Sequence, residues 1–207
     1  MRLICFGDSW TAGHGVESNV FYKEKAYPNK FIQKLREQNS WVKWVAQKLE
    51  VSFVNMGVCG YGNEYIFNDI VSNNGENHFE NDDIIVVMFS YPYRYKSKDM
   101  YDVKKLFWKI EFELKDYKHF YFNSFYPTFK DEDFDTNVLP DYFINPNGCV
   151  ADVLKEYEIK NDVSVWEYGS RSVWNDEKNY WEGDYHPNDL GYKIIGEHIY
   201  DEIKRRI

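Results

Sequence analysis

No run of apolar residues in this chain approaches the roughly 20 needed for a helix to cross a bilayer, so no membrane-embedded role is expected. The apolar run Leu3–Phe6 behind Met1-Arg2 is too short for the core of a secretory signal. The chain therefore reads as made for the cytoplasm, with release by lysis or incorporation into a particle such as a virion left open. Cysteine is scarce: Cys5, Cys59 and Cys149 are odd in number and scattered, which suits a reducing compartment and argues against a disulfide framework or a zinc site. Cys5 and Cys59 are expected in or beside strands as small buried hydrophobes. Positive charge is in deficit, 25 Lys and Arg against 34 Asp and Glu. The net charge of −9 opposes binding to nucleic acid or to an anionic membrane. His14, His78, His119 and His198 show no partners at ligand spacing, so neither metal nor other cofactor is expected. Repeats and low-complexity tracts are absent too.

What the chain does have is aromatic rings, 18 Tyr, 15 Phe and 7 Trp, within otherwise ordinary globular composition. A length of 207 residues suits one domain over 1–207. Apolar patterning alternates between short strands and helices. Strands are expected at Arg2–Phe6, Val51–Met56, Ile84–Phe89, His119–Phe125 and Val163–Tyr168. Helices are expected at Trp41–Glu50 (with Ser40 as its N-cap), Asn63–Val71, Tyr101–Tyr117 and Asp189–Ile207. Thr128–Gly148 has no clean period and reads as a long surface excursion. The alternation predicts an α/β fold, three layers α/β/α around a parallel sheet of about five strands. Ligands of such sheets sit at the carboxyl ends of the strands. Gly7-Asp8-Ser9, Gly57–Asn63, Ser90-Tyr91-Pro92, Asn123-Ser124-Phe125 and Asp184–His186 all fall where they should open onto that edge.

Gly7-Asp8-Ser9-Trp10-Thr11 after the first strand, joined to His186-Pro187-Asn188 and Gly191 before the last helix, resembles the GDSL/SGNH hydrolase superfamily. That family comprises serine esterases, lipases and carbohydrate O-deacetylases on a flavodoxin-like fold. Asn55-Met56-Gly57-Val58-Cys59-Gly60 is similar to the family's second block. The resemblance implies Ser9 as nucleophile, His186 as general base and Gly60 as an oxyanion-hole glycine. The chemistry fits: a serine hydroxyl is a poor nucleophile unless an imidazole takes its proton, and the imidazole works best when a carboxylate orients it. The oxyanion needs donors placed in advance, and the N–H groups of Ser9 and Gly60 are the expected pair.

Two positions depart from the family's pattern. Its acid stands three residues before the histidine, where this chain has Gly183, flanked by Glu182 and Asp184; Asp184 is the expected orienting acid, a Ser–His dyad helped by a backbone carbonyl the alternative. The family's third block, Gly-x-Asn-Asp, carries an asparagine donor, where this chain reads Phe89-Ser90-Tyr91-Pro92-Tyr93-Arg94. Asn63 is the candidate substitute, with Ser90 second.

Each residue also has a plainer role available. Ser9 is a natural helix cap, Asp8 a loop tether through backbone N–H groups, Asn63 a helix N-cap, and Arg94 a surface ion-pair partner. The rings Trp10, Tyr61, Tyr65, Tyr91, Tyr93, Tyr95, Phe125, Tyr126 and Tyr185 crowd the expected cleft. Flat rings with polar tips suit sugars, so the expected substrate is a short acyl (acetyl) ester, on a carbohydrate or another small molecule. No long apolar lid segment favours a long-chain lipase. The competing expectation is a catalytically silent chain that binds glycans or serves as a structural component. A phosphate-binding flavodoxin-like module is disfavoured, because Gly7–Thr11 carries no glycine cluster or nearby lysine.

Overall fold

The computed structural model describes residues 1–14, 34, 36–76, 78–90, 100–124, 138–146, 148–166, 173–175, 180–182 and 186–207. In chain order the elements are β1 (Arg2–Gly7), α1 (Ser9–Ala12), α2 (Trp41–Leu49), β2 (Ser52–Gly57), α3 (Asn63–Gly75), β3 (Ile84–Phe89), α4 (Met100–Leu114), β4 (Lys118–Asn123), α5 (Val150–Asn161), β5 (Val173–Asn175), β6 (Tyr180–Glu182) and α6 (Asp189–Lys204).

Strands β1 to β4 form one parallel sheet in the order β2-β1-β3-β4. The order reverses beside β1, which pairs with β2 on one side and β3 on the other. Such a reversal opens a crevice at the carboxyl ends of the two central strands. Both sheet faces are covered, which is why β1 and β3 read as near-continuous apolar runs.

Alternate residues of each strand enter different cores. Leu3, Cys5, Ile84, Val86, Met88, Phe120 and Phe122 pack with Trp41 and Val45 of α2, Leu154 of α5, and Ile195, Ile199 and Ile203 of α6. Ile4, Phe6, Ile85, Val87, Phe89 and Tyr121 face the other way, toward Ile66 and Ile70 of α3 and Phe107, Ile110 and Leu114 of α4. Full burial of one such side chain stabilises by about 1.5–3 kcal/mol. Two layers of helices therefore clamp the sheet.

The sequence-based elements recur with shifted ends, apart from Val163–Tyr168. Of its described part, 163–166, Trp166 alone pairs, in a single antiparallel bridge to Pro187, and residues 167–168 lie outside the described residues. The sheet has four strands among the described residues rather than about five. Next to β4 lies part of the expected surface excursion instead. Tyr121 N–H donates to Tyr142 O, Ile144 N–H donates to Tyr121 O, and Phe143 and Ile144 are buried. A two-residue pairing leaves no alternating apolar pattern long enough to be read. Helix α5 was also hidden, because its polar residues dilute the stripe carried by Val150, Ala151 and Leu154. Ser40 is the N-cap residue of α2 as expected, although its hydroxyl donates to Glu37 O and makes no cap bond to the helix. Cys5 and Cys149 are buried, whereas Cys59 is exposed, a correction to the expectation for it.

Two carboxylates, Asp83 fully buried and Glu111 half-buried, tie elements together. Asp83, at the entry to β3, accepts from Arg2 through backbone and guanidinium and from Glu80 N–H. Burial pushes its carboxyl up, but the Arg2 and Glu80 hydrogen bonds outweigh that and hold it below the usual range. Glu111 of α4 meets His119 Nε2 at 3.1 Å and accepts from Tyr121 (2.9 Å) and Tyr142. Burial again pushes upward, and these hydrogen bonds again win, so Glu111 also stays below the ordinary value. A carboxyl depressed in the folded state gives stability that is complete above its unfolded value and lost as pH falls through the folded one. Unfolded Asp and Glu titrate near about 4. We therefore expect the urea midpoint to stay level on acidification until about pH 4 and to fall below it. Asp83→Asn should lower the neutral midpoint and flatten that acid fall, checked by urea unfolding at a series of pH values.

Candidate active site

The first block is a strand, a turn and one turn of helix. β1 ends at Gly7, Asp8 caps α1 by accepting the Trp10 N–H at 3.0 Å, and Ser9 is the first helical residue. The second oxygen of the Asp8 carboxylate accepts the Ser90 hydroxyl at 2.8 Å. Asp8 is fully buried, so these bonds offset its desolvation. They also join the carboxyl ends of β1 and β3, on either side of the crevice.

α1 lies directly on the end of β2. A Cβ on Gly57 would stand 2.4 Å from Ala12 N and 2.6 Å from the Thr11 carbonyl carbon, so only glycine admits the helix there. Asn55 holds the same contact with its amide, donating to Thr11 O and accepting from Gly57 N–H. Gly60 follows in the loop before α3 with φ +88°, a conformation glycine adopts without strain.

The last block arrives from the far end of the chain. Asn188 caps α6 by accepting the Gly191 N–H, and its amide donates to Ser164 O and Trp166 O. Asn188 N–H donates to Val165 O. The Pro187-Asn188 turn is thereby pinned to residues 164–166, whose Trp166 packs against Trp10 at a ring separation of 6.0 Å. His186 is presented from this anchored turn. Its Nε2 lies 2.9 Å from Ser9 Oγ, with both residues buried. A hydroxyl at that distance from an imidazole nitrogen is placed to hand over its proton.

Asn63 and Ser90 meet each other. Asn63 Oδ1 accepts from Ser90 N–H at 2.8 Å, and its Nδ2 donates to Ser90 O at 3.1 Å. The side chain closes both backbone valences at the end of β3, where the strand leaves the sheet. Gly62, not Asn63, is the N-cap of α3. The single proton of the Ser90 hydroxyl goes to Asp8. Asp184 and Arg94 lie outside the described residues, as do Tyr91, Tyr93, Tyr95, Phe125, Tyr126 and Tyr185 of the aromatic set. Of the remainder, Trp10 is buried, while Tyr61 and Tyr65 form a tilted pair 5.2 Å apart beside Gly60 and Gly62, Tyr65 being exposed.

Sequence reasoning missed His14. Its Nδ1 lies 3.1 Å from His186 Nε2. Nothing in the spacing from Ser9 announces this, because the contact depends on a left-handed turn at Gly13 (φ +78°). Among the described residues, the one cluster of three or more potential metal-binding side chains is Glu80, Asp82 and Asp83, remote in sequence from these blocks. No described helix is long and apolar enough to cross a membrane.

Asn63→Ala would remove both hydrogen bonds that its side chain makes to the Ser90 backbone, and loss of a buried partner costs about 1–3 kcal/mol. We expect a loss of stability in that range or above in denaturant melts, and Asn63→Asp, which can still accept from Ser90 N–H, should lose less.

No family model matches the sequence, and no curated protein does. Solved structures do match along essentially the full length. A member of the lipolytic protein G-D-S-L family from Veillonella parvula is 20% identical, with 99% of each chain covered and a TM-score of 0.51. A lipase/acylhydrolase from Enterococcus faecalis is 16% identical, covering 99% of this chain and 96% of that one at a TM-score of 0.50. A psychrotrophic esterase from Pseudoalteromonas sp., solved in a form inhibited by monoethylphosphonate, is 10% identical, covering 99% and 97% at a TM-score of 0.52. At these identities the likeness speaks for architecture, and the chain has the α/β fold of the G-D-S-L hydrolases.

Proposed function

We propose that this chain is a serine esterase, and the observation that carries the reading is the buried 2.9 Å contact between Ser9 Oγ and His186 Nε2 at the carboxyl edge of the sheet. Ser9 attacks the ester carbonyl as its proton passes to Nε2. The tetrahedral oxyanion rests on N–H groups of Ser9 and Gly60. Ser9 stands in the first turn of α1, where N–H groups have no partner within the helix. Gly60 offers an amide without a Cβ to obstruct the substrate. Asn63 contributes the second N–H of its amide, the first being held by Ser90 O. Ser90 serves by steadying Asp8, and through it the turn that carries Ser9. His186 then gives its proton to the departing alcohol, and water attacking the acyl-enzyme returns Ser9. Asp184, two residues before His186, is the proposed orienting acid. These parts come from both ends of the chain, so 1–207 is taken as one domain.

For the substrate we propose a short acyl ester, an acetyl group on a carbohydrate in the first instance. The pair Tyr61 and Tyr65 supports this, since paired rings with hydroxyl tips beside the glycine loop suit a sugar face. The changed third block supports a second reading, a silent chain that binds acylated glycan without cutting it.

Hydrolysis of a short-chain aryl acetate by wild type and Ser9→Ala tests the proposal. The variant should lose at least about a thousandfold in kcat/KM, and an activated phosphonate ester should transfer its phosphonyl group to Ser9 Oγ, releasing its leaving alcohol, so that the phosphonyl mass appears on the wild type alone. Equal turnover in both proteins would overturn it. Sugar binding that persists in Ser9→Ala, with no turnover of any acyl ester by the wild type, would favour the second reading.

A further inference from the structure

The mechanism so far leaves one titratable group at the site without a task. His14 Nδ1 faces His186 Nε2 at 3.1 Å, with the two rings edge to face and their centroids 4.2 Å apart. The approach is held from three directions. His14 N–H donates to Ser9 O at 2.9 Å. Gly13 before it takes a left-handed turn, where a Cβ would stand 2.7 Å from Arg36 O. Tyr192 of α6, fully buried, donates its hydroxyl to His14 O at 2.6 Å. The ring is thus braced by the helix that begins just after His186.

Which nitrogen it meets decides what it can do. An orienting partner binds the distal nitrogen of a catalytic imidazole and leaves Nε2 to the nucleophile. His14 meets Nε2 itself, the nitrogen that also faces Ser9 Oγ. We propose that His14 is a positioning residue for the Ser9–His186 couple: it shares the Nε2 lone pair and sets the pH at which that nitrogen is vacant for the serine proton. This rests on the esterase reading of the same site.

The protons can be counted. With Nε2 bare, two lone pairs would face each other at 3.1 Å unless His14 carries its proton on Nδ1. In the neutral pair, Ser9 O–H and His14 Nδ1–H therefore both point at one acceptor, and attack proceeds by moving the serine proton onto it. When the pair takes up one more proton, it enters either on the far nitrogen of His14 or on His186 Nε2 with the His14 proton shifted to its far nitrogen, and in both forms the single proton between the rings becomes N–H⁺···N. Such a charge-assisted bond is roughly twice as strong as a neutral one. Held on His186, the proton fills Nε2; held on His14, it strengthens the Nδ1–H bond to Nε2 and weakens that nitrogen as a base, so Ser9 is less activated in both forms. The pair therefore takes this proton at a higher pH than His186 would alone. A second proton would set two cations in contact and is held off to lower pH, so the two rings titrate as a unit.

Other groups bear on the pair. Asp8 lies beside Ser9, its oxygens engaged by Trp10 and Ser90. Asp189 stands in the first turn of α6, and Arg36 and Glu37 lie on the segment against Gly13 and Ser40. All four stay in place when His14 alone is changed.

The test compares wild type, His14→Phe and His14→Gln. Neither replacement titrates, and glutamine keeps a polar group should phenylalanine disturb folding. Two readouts are taken: the acid limb of kcat/KM for an aryl acetate, and the titration of the His186 ring followed by NMR. In both variants the midpoint should move to lower pH by about half a unit or more, a roughly threefold gain in vacant base at pH below both midpoints. An unchanged midpoint, or a shift to higher pH, in a variant that folds would overturn the role of His14. The NMR readout does not need turnover. If the wild type cleaves no ester, the esterase reading fails, while the titration still shows whether the two rings share a proton.

Discussion

A carboxylate removed from water must find hydrogen-bond donors or remain protonated, and Asp8 meets that demand at the centre of the molecule. One oxygen takes the Trp10 N–H and so starts α1; the other takes the Ser90 hydroxyl and so fastens the end of β3 to the end of β1. Ser90 is held in turn through both backbone groups by Asn63 at the start of α3. Three separate pieces of chain are thereby fixed by four hydrogen bonds. Ser9 inherits its position from that arrangement, because it is the residue between the cap and the first bonded N–H. The aspartate of Gly-Asp-Ser thus has a reason of its own, apart from any reaction.

The far side of the site is built on a different principle. His186 is delivered by a turn whose Asn188 bonds outward to Ser164 and Trp166 and forward to Gly191. The two sides join where Trp10 meets Trp166 and where Tyr192 reaches His14. Aromatic residues, so abundant in the composition, here work as spacers between the chain's two ends. The 2.9 Å contact of Ser9 with His186 follows from these placements.

Much of this was legible beforehand because it is local. Continuous apolar runs mark β1 and β3 since both faces of the sheet are covered, and Gly-Asp-Ser and His-Pro-Asn each encode a cap and a turn over three residues. What escaped notice is what depends on distant partners. The segment beside β4 is recognisable only once Tyr121 lies next to it, and Trp166 pairs with Pro187 across a gap that no periodicity spans. Asn63 looked like a cap or a donor to substrate, and its bonds to Ser90 depend on a strand end 27 residues away. His14 carries no signal at all, because its meaning arises from a ring 172 positions further on.

That separation bears on how the chain comes off the ribosome. β1 is made first, yet it lies inside the sheet and takes one neighbour from residues 52–57 and another from residues 84–87. It cannot be buried on both sides until more than a third of the chain exists. The final helix, which covers one face and braces His14, comes last. A nascent or truncated chain ending before residue 186 can hold most of the sheet and its serine turn, yet it lacks the imidazole that stands opposite that serine. Such long-range closure tends to be slow and to expose apolar surface on the way. It also means that the contact between Ser9 and His186 cannot form in a product that stops short of residue 186.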